Sequence, residues 1–151
     1  MLITRYVNDL QTVFEGEPWY GKSVLAIASK ISVDHLDNSL PNGNTVLEIL
    51  RHIIVWRKWC IEMCIGNYNY WIKADSTQDW DRSKTTKQDE LSALITELKE
   101  TQTALIQAIK NKSDDWIDTT IPERKCTFGD AVNGVIQHDI YHIGQIALFI
   151  K

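Results

Sequence analysis

Apolar residues recur along this chain at three- and four-residue spacings, in four long stretches, and no stretch shows the strict alternation that a half-buried strand requires. The pattern predicts an all-α fold. From about Leu2 to Phe14 the apolar rhythm is carried by Tyr6, Val7, Leu10 and Val13. GEPWYG then interrupts the helix with Gly16, Pro18 and Gly21, and SVLAIASKIS resumes it. Proline, glycine and asparagines in HLDNSLPNGN make the next break. A long helix should start near Thr45, run through VLEILRHIIVWRKWCIEMCI and stop at Gly66. The polar connection NYNYWIKADSTQDWDRSKTTKQ follows, of a length typical of functional or partly mobile loops, with Tyr68, Tyr70, Trp71 and Trp80 available to pack across one end of the helices. Thr86, backed by Asp89 and Glu90, is placed as the N-cap of a helix whose Leu91, Leu94, Ile95, Leu98, Leu105 and Ile109 share a face. Beyond SDDWIDTTIPERKC, Thr127 and Asp130 have the spacing of a capping box and open a last helix that runs to the C-terminus. Four long amphipathic helices, the first broken, predict a four-helix bundle, and 151 residues suit a single domain over 1–151.

Composition narrows the partners. A net charge of -4, with lysines and arginines dispersed among acids, leaves no basic stripe to neutralise phosphates, so no nucleic acid is expected. No apolar run reaches the roughly 18 residues of a membrane span, and MLITRYVNDL lacks a signal-peptide core, so no membrane is expected and the protein is placed in the cytoplasm. Cys60 and Cys64 sit one helical turn apart rather than in a CxxC pair. With Cys126 they make an odd count, and all three read as reduced thiols packed as small hydrophobes.

Histidine placement changes the picture further. In the closing segment QHDIYHIGQIALFIK, His138 and His142 lie about 40° apart on a helix that turns about 100° per residue, stacked on a strip with Ala131, Val135, Tyr141, Gln145 and Phe149. On the second long helix His52 shares its strip with Thr45, Glu48, Ile49, Trp56, Trp59 and Met63. A lone histidine on an apolar face is ordinarily a satisfied core residue. Three, in a bundle with few other inward polar residues, would each need a partner, and three converging nitrogens are a ligand set for a divalent transition metal that leaves coordination positions open. Glu48, Gln145 and Tyr141 stand close enough in sequence to support the site from behind or to donate into its cavity. His35, beside Asp34 and Asp37, reads as solvated. A second apolar strip on the last helix, Ile136, Ile140, Ile143 and Ala147, implies cover on that side too, from the centre of the monomer or from a second copy in a homodimer.

FEGEPWYGKSVL, NGNTVLEILRHIIVWRKW and above all TFGDAVNGVIQHDIYHIGQIALFIK, with its HxxxHxGQI, resemble the DinB/YfiT-like superfamily of bacterial four-helix-bundle metalloproteins over essentially the whole chain. The resemblance implies a divalent metal, often nickel or zinc, held by His52, His138 and His142, and frequently a dimer. It does not imply a DNA polymerase. Characterised relatives of this kind include transferases and isomerases that use low-molecular-weight thiols such as bacillithiol or mycothiol. The expected activity is therefore a metal-dependent thiol S-transferase or hydrolase, with iron or manganese as further candidate metals. The alternative is a stress-response protein that binds metal or a small ligand without turnover.

Overall fold

The computed structural model describes residues 1–84 and 88–150. Five α-helices account for most of it: α1 (Leu2–Phe14), α2 (Val24–Ala28), α3 (Val46–Ile65), α4 (Gln88–Ile109) and α5 (Phe128–Ala147). Short 3-10 turns at Val33–His35 and Asp114–Asp118 lie in the connections. Among the described residues no strand forms, and a single bridge pairs Thr120 with Thr127.

Local chemistry sets the helix ends. At α3 the Thr45 hydroxyl accepts from Glu48 N at 3.2 Å and Glu48 Oε2 accepts from Thr45 N at 2.8 Å, a reciprocal box that satisfies two otherwise orphaned donors. The helix stops at Gly66, whose φ of 94° is left-handed and costs a residue without Cβ nothing. Thr127 and Asp130 form the same box at α5. The N-cap expected at Thr86 lies outside the described residues.

Two expectations change. The resumed helix after GEPWYG is only five residues long, capped by the Ser23 hydroxyl. Past it Lys30 N and Ile31 N bond three residues back, to Ile27 O and Ala28 O, and this tightened chain delivers Ile31 and Leu36 to the core. The last helix ends at Ala147 rather than at the C-terminus, where Leu148 N and Phe149 N likewise tighten onto Gln145 O and Ile146 O.

α3 packs on both α4 and α5, while α1 packs on α4 and α5, and α2 on α5. Leu10 and Phe14 of α1, Leu50 and Ile53 of α3, Leu98 and Leu105 of α4, and Val132 and Ile146 of α5 form one buried cluster. Ile136 and Ile143 are buried within this single chain, so the second strip of α5 does not require another copy to cover it. No helix among the described residues is long and apolar enough to cross a membrane.

The interior is also more polar than the histidines alone suggest. Arg57, 1% exposed, donates through Nη1 to Asp139 Oδ2 on α5, through Nε to Thr101 Oγ1 at 2.8 Å, and through Nη2 to Gln102 Oε1 on α4. Gln102 passes a 3.1 Å bond on to Leu10 O of α1, and the guanidinium carbon lies 4.7 Å from the Phe14 ring centre. A buried charge survives only with such a full set of partners.

Candidate metal centre

α3 delivers His52 and α5 delivers His138 and His142 to one point, where a ring nitrogen from each lies within 4.8 Å of the other two. His52 and His142 are buried and His138 half-buried. The rings pack edge to face or tilted, with centroids 4.4 to 4.8 Å apart. His138 Nε2 stands 3.0 Å from His52 Nε2.

Hydrogen bonds behind the rings fix which nitrogens are free. His52 Nδ1 meets the Asp79 backbone oxygen at 3.0 Å and Asp79 Oδ1 at 2.9 Å. Both are acceptors, so Nδ1 carries the proton and Nε2 of a neutral His52 presents a lone pair to the centre. His142 Nδ1 lies 2.7 Å from Gln145 Oε1, which holds that ring in the same sense. His138 is different, because its buried Nδ1 has no partner. With the proton on Nε2 it can bond His52 Nε2 and strands an acceptor; with the proton on Nδ1 it strands a donor and sets two lone pairs face to face.

Burial lowers the His138 pKa to about 3, aided by the neighbouring His142 and His52. Burial also lowers that of His142, against the opposing pull of its bond to Gln145. Both rings are therefore neutral at pH 7 and available as ligands. Two nitrogens bound tetrahedrally at about 2.1 Å from one zinc-like ion stand about 3.4 Å apart, close to the His52 to His138 separation. The donor set thus fits a divalent transition ion, which would also resolve the opposed lone pairs.

Asp79 and Trp80, in the long polar connection, are the residues that sequence reasoning missed. Asp79 is buried; its Oδ1 also accepts from Trp56 Nε1 at 2.8 Å, and its Oδ2 accepts from Asp75 N at 2.8 Å. Trp80 stacks on His52 with centroids 3.7 Å apart and planes within 5°. Arg51 anchors the segment to α3 by donating to Ser83 O at 2.6 Å and Asp81 O at 3.3 Å, and it pairs with Glu90 on α4. The available signal was the need of a ligating histidine for an acceptor at its other nitrogen. Spacing could not choose among Asp75, Asp79 and Asp81.

Of the residues expected behind the site, Gln145 meets His142 directly. Glu48 is committed to the α3 cap. Tyr141 is 65% exposed, with its ring edge-on to His142 at 4.8 Å rather than donating into a closed cavity. His35 is not simply solvated, since its Nδ1 accepts from Ser32 N at 3.1 Å and caps a 3-10 turn. The three cysteines are free, Cys60 and Cys64 are buried, and the hydrogen bond with Cys64, aided by burial, pushes the Cys60 thiol pKa up.

Two clefts flank the cluster. One, of about 230 Å³, is bounded by Trp56, Trp59 and Val135 and reaches His138. The other, of about 180 Å³, has Tyr141, Gln145 and Asn44 in its wall and reaches His142.

Comparison with curated proteins and comparison with solved structures return no match. The sequence model described as DinB superfamily matches residues 21–146, a span containing the three histidines, the Asp79 segment and both capping boxes. By that match over most of its length, the chain belongs to the DinB superfamily.

Proposed function

We propose that this chain is a four-helix-bundle metalloprotein that binds one divalent transition ion, nickel or zinc before iron or manganese, through His52, His138 and His142, and that the ion serves a thiol-dependent S-transferase or hydrolase reaction. The convergence of three imidazoles, two of them oriented from behind by Asp79 and Gln145, carries the reading. Such an ion supplies Lewis-acid polarisation of a bound thiol, water or carbonyl. The chain's own part is to fix the imidazoles, hold His138 and His142 unprotonated by burial, and admit small molecules through clefts that end at those two residues. Flanking clefts suit a reactive site better than a sealed structural one.

One observation favours the second reading, a protein that binds metal or a small ligand without turnover. Among the described residues at the site, Asp79 is committed to donors on both carboxylate oxygens, and Asp130, on the rim of the larger cleft, is committed to the α5 cap. Neither is an idle general base. A homodimer remains part of the proposal, with Tyr141 exposed on α5 and Leu148 exposed just past its end, and light scattering reads the mass directly.

The deciding experiment is metal analysis of the native protein and of His52→Ala, followed by turnover assays pairing low-molecular-weight thiols with electrophiles and ester or amide substrates. One equivalent of metal in the parent, none in the variant, and metal-dependent turnover support the enzyme. Metal without turnover across the panel supports the binder, and absence of metal from both proteins overturns the metal site in either reading, leaving only a small-ligand binder.

A further inference from the structure

The larger cleft has a character of its own. It is lined by Trp56, Trp59, Cys126, Gly134 and Val135 beside His138. Among its lining residues only Asp130 carries a charge, and that carboxylate accepts from Thr127 N at 2.9 Å in the α5 cap. Burial holds the Cys126 thiol protonated. A charged or strongly hydrated ligand would find little here to replace its water.

Size and shape narrow the occupant. An apolar cavity of about 150 Å³ already accommodates benzene, so about 230 Å³ leaves room for one ring with a small substituent. Trp56 and Trp59 meet edge to face with centroids 5.7 Å apart, the aromatic geometry into which a further ring packs. The Trp56 ring is held before any ligand arrives, because its Nε1 donates to Asp79 Oδ1 at 2.8 Å. That same oxygen lies 2.9 Å from His52 Nδ1, and the Trp56 ring centre is 6.2 Å from that of His138. A Cβ added at Gly134 would meet nothing within 4 Å, so this glycine keeps space open without serving the packing of the chain.

From these observations we infer that the cleft is a subsite for a neutral single-ring aromatic group, which it seats against Trp56 and Trp59 with the reactive end directed at the three-histidine centre. The inference deepens the metal-site reading and rests on it for the ligand's orientation. It makes the co-substrate an aryl-bearing molecule, leaving the more polar cleft beside His142 for the second reactant.

The test is a 19F NMR titration of the full chain with 4-fluorotoluene, with 3-fluoropropane-1,2-diol as a polar control and Trp fluorescence as a second readout. The parent should bind 4-fluorotoluene saturably and the diol not at all. Gly134→Leu, which projects into the cleft, should weaken binding at least about tenfold with Tm not lowered and metal content unchanged. Trp59→Ala, which widens the cleft, should shift preference by about tenfold from 4-fluorotoluene toward 1-fluoronaphthalene. His52→Ala should lose zinc and keep the aromatic ligand. Non-saturable uptake, equal binding of the diol, or indifference to both cleft substitutions overturns the subsite. Zinc binding without 4-fluorotoluene binding sinks the subsite alone, whereas 4-fluorotoluene binding without zinc upholds it and removes the metal reading.

Discussion

At Asp79 Oδ1 two donors meet, His52 Nδ1 at 2.9 Å and Trp56 Nε1 at 2.8 Å, so one carboxylate sets a histidine tautomer and the wall of a cleft together. An amide in its place must offer an N–H to one of the existing donors. If the proposed ion binds, Asp79→Asn should therefore weaken its binding by about 10- to 100-fold while leaving the three histidines in place, as chelator competition will show. His138 bears on acid stability. Its folded pKa of about 3 lies below the ordinary 6.5, so well above pH 6.5 the ring is neutral in both states and contributes no slope. As pH falls from 6.5 toward 3 the unfolded chain takes up a proton that the folded chain refuses, and stability declines. In the metal-free protein, urea midpoints for His138→Asn should fall less steeply across that window than those of the parent. The three histidines were legible from helical phase alone. Asp79 was not, because its contact with His52 spans 27 positions and depends on the path of a loop that carries several acids.

Among the elements, α5 was readable because Thr127 and the acid three residues later announce its start, and α3 because turn residues precede Thr45 and Gly66 closes the apolar run. The shortness of α2 was not. Its apolar spacing continues through Ile31, and what ends it is the tertiary reward of turning Ile31 and Leu36 inward. The first turn of α5 has a tighter requirement. A Cβ at Gly129 would lie 2.3 Å from Ile117 Cγ2 and 3.0 Å from the Tyr6 hydroxyl, where the Asp114–Asp118 turn and α1 press on the helix. Gly129→Ala should cost about 1–3 kcal/mol in chemical denaturation. Gly134→Ala, facing open space on the same helix, should be neutral or slightly stabilising, because alanine favours the helix.

For the whole molecule the decisive contact joins Arg57 to Asp139, 82 positions apart. Neither residue is distinguishable in the sequence from a charge on a solvated face, so the polar heart of the interior was invisible there. Burial pushes the Asp139 carboxyl up to about 6 against the pull of Arg57, and its Oδ1 has no partner. The pair is thus held under desolvation. Arg57→Met or Asp139→Leu alone should destabilise by about 3–5 kcal/mol, since each strands the other partner, and the double variant should recover much of that loss in a urea double-mutant cycle. The same guanidinium has a dynamic consequence. It touches α4 and α5 directly, rests over Phe14 of α1, and is itself part of α3. No one of these helices can lift away without stripping a partner from a cation that has no water to turn to. Partial openings are suppressed, so the slowest amides of α1, α3, α4 and α5 should exchange with deuterium at a single shared free energy, the protein opening all at once or not at all.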